Sequence, residues 1–298
     1  MEFQNEIHAK VLHSICDKSG KLLFQYKIKE MNSGYFDTRL HNHDELKIVR
    51  ILKGSCIWNI NGTDFSVNVG DILLLNRLDI RFIKEITSAE PLVVCQYCFS
   101  PIALMPNLSA ANCFYHRPDE GKNILASGSP MNDELTPYFD SISDEIRNKN
   151  YYRDEMILNL LSNMVLRLAR YFFDDDYKHI SACQSELISE TVDYINKNPA
   201  ADLTLGSLAS RAHTSPAYFS RTFKAYTGVG LKEYVTQSRV IRVITLMHSN
   251  PHCNVIDIAF ASGFNTSSGF YKAFEKVTGS SPKKLLQSEA VATREATD

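Results

Sequence analysis

Two sets of side chains have the types and spacing that chemistry needs. The first lies in residues 185–288, where a pattern recurs with a period of about 51 residues. Leu208-Ala209 returns as Ile258-Ala259, Phe219 as Phe270, Phe223 as Phe274, and Thr227-Gly228 as Thr278-Gly279. The two Phe residues of each copy, four apart, define one face of a helix. Opposite them stand Ala217, Ser220, Arg221 and Lys224 in the first copy, and Ser267, Ser268, Tyr271 and Lys272 in the second. Short polar side chains near a helix N-terminus, with a basic residue one turn on, suit a helix laid in the major groove of DNA. The cation can reach guanine edges or phosphate, and the helix N-terminus favours phosphate oxygens. One such face alone reads as a solvated surface; two, both mildly basic, read as a double-stranded DNA binder.

The second set begins with His41 and His43, two apart at the start of an expected strand and therefore facing the same way, as shared metal coordination requires. Cys95 and Cys98 form a C-x-x-C, but inside an apolar run that reads as a strand. Positions three apart then fall on opposite faces, and no second Cys or His pair follows. Neither metal nor redox chemistry is expected there. The chain also lacks a Gly-rich phosphate loop, a Ser-His-Asp order with a nucleophile turn, and zinc-finger spacing.

These residues are positioned by two kinds of element. From residue 22 to about 100, apolar and β-branched runs at 47–52, 56–60, 65–69, 72–75 and 92–99 are separated by turn signals at Lys53-Gly54, Asn61-Gly62 and Gly70-Asp71. Asn61-Gly62 is a hairpin signal, because both central positions of a type I′ turn need positive φ. Near residue 130 the period changes: Ile157, Leu160, Leu161, Met164, Val165, Leu168 and Phe172 trace an amphipathic helix over 154–173, with 141–149 as its partner. Its stripe predicts a dimer contact with a second copy, or packing on the chain's own barrel. In the repeat, Thr204 caps a short helix over 205–212, and Ser215-Pro216 starts the next, which ends at Gly228. Gly263 makes the corresponding turn in the second copy, and Gly279 ends its second helix.

The 298 residues include 44% hydrophobic and 22% charged side chains, a globular composition with room for two domains. The net charge of −2 conceals an asymmetry. Residues 1–184 hold 20 basic and 24 acidic side chains, whereas 185–288 hold 11 basic and 7 acidic, which directs an anionic partner to the second part. No apolar run is long enough to span a bilayer, the N-terminus does not read as a signal peptide, and seven scattered Cys suit reduced thiols. A cytoplasmic location without membrane contact is therefore expected.

Residues 185–287 resemble the AraC/XylS family of bacterial transcription regulators. The resemblance rests on Leu208-Ala209, the run from Ser215-Pro216 to Phe223-Lys224, Thr227-Gly228, Ile258-Ala259-Phe260, Gly263-Phe264 and Ser281-Pro282. It implies two helix-turn-helix units joined by a helix over 231–248, about 27 Å long, together with promoter DNA and RNA polymerase as partners. Gly269, Glu275 and Leu285-Leu286 depart from the family pattern, so the first unit is expected to contribute more binding than the second.

The stretch from His41 to Gly54, with Val69-Gly70-Asp71, is similar to a cupin barrel, the effector domain of many such regulators. Lys47 and Arg81 stand where a metal cupin places Glu and His. Two imidazoles beside two cations repel a divalent ion, so no metal or cofactor is expected. The same substitutions make Arg39, His41, His43, Lys47, Trp58 and Arg81 a donor-rich barrel mouth for a sugar or small acid.

The expected fold is α+β in two domains. Residues 1–130 form a cupin-like barrel or jelly roll, 131–176 a helical dimerisation segment, 177–185 a linker, 186–288 the double helix-turn-helix, and 289–298 a tail. The expected function is that of a non-enzymatic, homodimeric, effector-controlled regulator, read as an activator. A metal-dependent cupin enzyme with an accessory helical domain and an effector-independent dimeric regulator are the alternatives.

Overall fold

The computed structural model describes residues 7–32, 45–115, 124–173, 182–249, 253–278 and 281–283. The N-terminal part is built of two antiparallel sheets. The larger has the order β1-β2-β8-β3-β6-β9, from β1 (Ile7–Cys16), β2 (Leu22–Met31), β3 (Leu46–Lys53), β6 (Ile72–Leu75), β8 (Leu92–Phe99) and β9 (Ile124–Leu125). The smaller has the order β5-β4-β7, from β4 (Cys56–Ile60), β5 (Thr63–Val67) and β7 (Arg81–Ile86). The β4–β5 hairpin turns at Asn61 and Gly62 with φ of 52° and 85°, both positive as a type I′ turn requires.

Both faces of the larger sheet are buried over its central strands β3, β6 and β8, and alternation along the strands sorts the side chains. Val49, Ile51, Leu73, Leu75, Leu92 and Val94 meet Cys56, Trp58, Ile60, Val67, Ile83 and Ile86 of the smaller sheet and line the barrel interior. Leu46, Ile48, Tyr97 and Phe99 point the other way, against two helices, α1 (Pro130–Asn148) and α2 (Arg153–Phe172). The amphipathic stripe of α2 is used here: Ile157, Leu161, Met164, Val165, Leu168 and Phe172 are buried among Tyr97, Phe139 and Ile142. The stripe is therefore core of its own chain and unavailable to a second copy, which corrects the dimer contact expected of it. The partner helix is also longer than its pattern indicated, because Ser129-Pro130 starts it a full three turns before residue 141.

The C-terminal part is helical: α3 (Ala182–Lys197), α4 (Leu205–Arg211), α5 (Pro216–Thr227), α6 (Leu231–Ser249), α7 (Val255–Ala261) and α8 (Ser267–Thr278). Helix α3 begins inside the expected linker. Ile188, Val192 and Ile195 of α3, Leu208 and Ala209 of α4, and Phe219 and Phe223 of α5 close one core. Ile258 and Ala259 of α7 and Phe270 and Phe274 of α8 close a second. The connector α6 serves both, giving Tyr234 and Val235 to the first and Val240, Val243, Ile244 and Met247 to the second.

The barrel and the helices meet at the turn that joins β6 of the larger sheet to β7 of the smaller, and at the 3-10 helix Leu108–Phe114, which lies against α3 and α5. Residues Asn76 to Ile80, between β6 and β7, are all buried, although turns ordinarily run over a surface. Arg77 Nη1 donates to Asp193 Oδ1 of α3 at 2.8 Å, and Lys21 Nζ of the barrel donates to the other carboxylate oxygen at 2.9 Å. Burial pushes the Asp193 carboxyl up, but Arg77 and Lys21 more than offset this and hold it below its ordinary value.

Candidate nucleic-acid interface and effector pocket

The start of α5 is fixed by Ser215, whose Oγ accepts from the Tyr218 N–H at 3.3 Å, with Pro216 at the first helical position. Its end is fixed by Gly228, in the left-handed region at φ 74°. Between them Phe219, Thr222, Phe223, Tyr226 and Thr227 face the core, which leaves Ala217, Ser220, Arg221 and Lys224 exposed on the opposite side. In the second unit Phe270 and Phe274 are buried, while Ser267, Ser268, Tyr271 and Lys272 are exposed. All eight residues expected to meet DNA are therefore solvent-facing, four on each second helix.

Each unit's first helix is capped alike: Thr204 Oγ1 accepts from the Ser207 N–H at 3.2 Å, and Asn254 Oδ1 from the Ile256 N–H at 3.0 Å. The turns differ in residue but not in hand. His213 has φ 51° in the first unit, where Gly263 has φ 96° in the second. A Cβ on Gly263 would lie 2.7 Å from both the Pro199 carbonyl oxygen and Arg239 Nε, which themselves pair at 2.9 Å. The second unit's turn thus abuts the α3–α4 loop of the first, with Arg239 of the connector between them.

In the barrel, Lys47 alternates with Leu46 and Ile48 and so shares the interior face of Val49 and Ile51; it is only 3% exposed. Arg81, also 3% exposed, shares the interior face of Ile83 on β7. Both therefore lie within the barrel rather than at its mouth. Burial holds the Lys47 ammonium well below its usual value; the Cys98 thiol opposite offsets part of this, and Arg81 and Lys29 add to it by repulsion.

Trp58 is buried in the same interior, and its Nε1 has no acceptor among the described residues. Gln96, which shares the interior face of Val94 on β8, likewise keeps a buried Oε1 without a donor among the described residues. Gln96 and Lys29 were not singled out by sequence, and Cys98 only as part of the C-x-x-C; a Gln inside an otherwise apolar strand was the available signal. Of the expected effector set, the fold brings together Lys47, Trp58 and Arg81, whereas Arg39, His41 and His43 lie outside the described residues. Cys95 and Cys98 are both buried, with Cys95 on the helix-covered face, where burial pushes its thiol up to about 12.

A two-sheet barrel with buried cations, followed by two helix-turn-helix units with exposed second helices, defines a class: a DNA-binding regulator with a ligand-binding domain. Comparison with known proteins agrees. Residues 32–175 match the family model described as an AraC-like ligand binding domain, and residues 208–288 match a helix-turn-helix domain. The chain belongs to the AraC/XylS family of transcription regulators.

An HTH-type transcriptional regulator of Bacillus subtilis is 23% identical over 261 residues, covering 87% of this chain and 89% of its own. The bifunctional transcriptional activator and DNA repair enzyme AdaA of Bacillus subtilis is 38% identical over 104 residues, 35% of this chain and 48% of that protein. Its likeness is confined to the helix-turn-helix part. Among solved structures, ToxT from Vibrio cholerae is 18% identical, with a TM-score of 0.48 over 89% of this chain and 98% of that one. Among the described residues no helix is long and apolar enough to cross a membrane.

Proposed function

We propose that this regulator is a cytoplasmic, non-enzymatic transcription activator that reads promoter DNA with α5 and α8 and is controlled by a small organic acid in its barrel. The observation behind the DNA-reading half is the matched exposure of the two second helices around buried Phe pairs. Arg221 and Lys224 supply the first contacts, Tyr271 and Lys272 the second; Ala217, Ser220, Ser267 and Ser268 keep the leading turns small enough to approach base edges. Recruitment of RNA polymerase fits an activator, the role that the relative AdaA's name also carries. Two chains on one operator would gain affinity through effective concentration, with an interface other than the α2 stripe.

The observation behind the effector half is Lys47. Among the described residues a buried ammonium beside a guanidinium has the Glu45 carboxylate as a weak partner, too little to offset its burial, and a bound anion adds compensating charge. The walls of Val49, Ile51, Leu75 and Trp58 suit an apolar body on that anion, which favours an acid over a sugar. Anisotropy titration of a duplex selected by the chain from a randomised pool tests the first half. Arg221→Ala is expected to weaken specific binding by about 1–3 kcal/mol, and unchanged affinity with unchanged sequence preference would exclude the assignment. Trp58, the sole tryptophan, reports the second half through its emission on titration with carboxylates, a response that Lys47→Met should remove.

A further inference from the structure

The turn Asn76–Ile80 is built as a rigid object rather than a loop. The Asp79 carboxylate accepts from the Asn76 N–H at 2.8 Å and from Asn61 Nδ2 at 2.9 Å. The Asn76 side-chain oxygen accepts from the N–H groups of Leu78 at 2.7 Å and Asp79 at 3.1 Å. Asn76 Nδ2 donates to the Phe114 carbonyl at 2.8 Å, tying the turn to the 3-10 helix Leu108–Phe114. From this base the turn reaches into both reader units. Leu78 is buried in the core of the first, with Phe219, Phe223 and Tyr234. Ile80 is buried in the core of the second, with Val240, Phe270 and Phe274, and Phe82 packs beside it.

Strand alternation then places one residue between the two functions. Ile80 and Phe82 face the second unit, so Arg81 between them faces the barrel interior, next to Lys47. The Arg81 guanidinium also grips the turn: Nη1 donates to the Asp79 carbonyl at 3.1 Å and to the Asn76 carbonyl at 3.3 Å. An anion held by Lys47 would lie beside the guanidinium that shapes the turn.

We propose that the segment 76–82 is an internal strut through which occupancy of the barrel sets the placement of the two reader units, with Arg81 as the positioning residue common to both. The proposal rests on the barrel's being an effector pocket, and it names the route by which that pocket acts. No residue of the strut needs to touch DNA; its influence runs through Leu78 and Ile80, which wedge against the inner sides of α5 and α8. Coupling of this kind requires one element that both sites bias.

The test uses the full chain, the selected duplex, and sodium hexanoate as probe, with hexanol and inorganic phosphate as controls. Trp58 emission reads barrel occupancy and anisotropy reads DNA affinity. In the parent chain hexanoate is expected to change both, the affinity by about fivefold or more. In Leu78→Ala/Ile80→Ala, emission should still respond while DNA affinity no longer does; an affinity response as large as the parent's overturns the strut. Arg81→Lys should keep the emission response, since the charge remains, and lose the DNA response, since the planar guanidinium whose Nη1 reaches both carbonyls is gone.

A second arm needs no ligand. Arg81→Met and Leu78→Ala/Ile80→Ala should each shift DNA affinity, and their combination should shift it no further than the larger alone. Strict additivity, or no shift, overturns the strut. Ile142→Val, which loosens the opposite core, controls for general destabilisation and should leave DNA affinity within about twofold. Loss of every emission response to hexanoate together with non-additivity in this arm would reject the effector reading while leaving the strut as a fixed coupling.

Discussion

Lys47 is a costly residue to bury in the barrel. Its ordinary value of 10.5 is driven down in the folded chain by burial, so the unfolded chain binds the proton more tightly than the folded one. The sign follows: its contribution to stability is fully present above pH 10.5 and is lost as the pH falls through the lowered folded value. Lys47→Met should therefore be more stable than the parent at neutral pH, by about 1–3 kcal/mol if the gain matches relief of one buried unsatisfied group. Thermal unfolding scans of both proteins from pH 7 to 10.5 check this; the difference should shrink as the pH rises. A bound carboxylate should narrow it too, because the anion favours the charged form. Arg221 presents the opposite case, an exposed cation with little to do for the fold. Arg221→Ala should weaken DNA binding and leave the unfolding midpoint unchanged.

At the level of elements, the reader helices owe their placement to caps and paired aromatics. Ser215→Ala removes the oxygen that accepts from the Tyr218 N–H and should cost about 1 kcal/mol, measured by chemical denaturation. Phe270→Ala empties the centre of the second core and should cost about 3–5 kcal/mol, lowering DNA affinity by loosening α8. The bridge from Arg77 to Asp193 behaves differently, because it joins two domains rather than stabilising one. Asp193→Asn leaves Arg77 buried without its counter-charge, a loss of about 3–5 kcal/mol for a broken buried pair. Acid should act similarly. The Asp193 carboxyl titrates below 3.8 in the folded chain, so its contribution is present above that pH and disappears as the pH falls through the lowered value. Small-angle scattering from the Asn variant at neutral pH should show the domains separated, whereas the parent should stay docked until strongly acid pH.

For the molecule as a whole, the charge asymmetry acquires a place. The N-terminal part, net-negative over residues 1–184, docks on the net-positive helical part through a turn that carries its own cation, Arg77. In the proposed strut, barrel and readers act as one mechanical unit along residues 76–82, and a ligand need only disturb Arg81 to be felt at both second helices. Sedimentation of the chain with and without its selected duplex checks the dimer. A surface substitution on α2 at Met156, which is exposed, should disturb assembly no more than any other outward residue, because the helix's apolar stripe is already covered.

What the sequence alone determined was local. Strands 72–75 and 92–99, the I′ turn at Asn61-Gly62, the Ser215-Pro216 start and the Gly228 stop were readable because backbone conformation there is set by residues within one turn of each other. The reader faces were readable for the same reason, since a duplicated Phe pair dictates which side of a helix is inward. The strands at 7–16 and 22–31 were less legible, their polar residues giving no continuous apolar run. Only the tertiary structure decided which partner each apolar face chose and where each charge came to rest. The α2 stripe fits a second copy or its own sheet equally well by period, and the sheet covers it. Lys47 and Arg81 look like surface charges in isolation, and strand alternation inside a closed pair of sheets buries them. Nothing in the run Asn76-Arg77-Leu78-Asp79-Ile80 distinguishes it from an ordinary surface turn, because the helical partners that bury Arg77, Leu78 and Ile80 lie more than a hundred residues away.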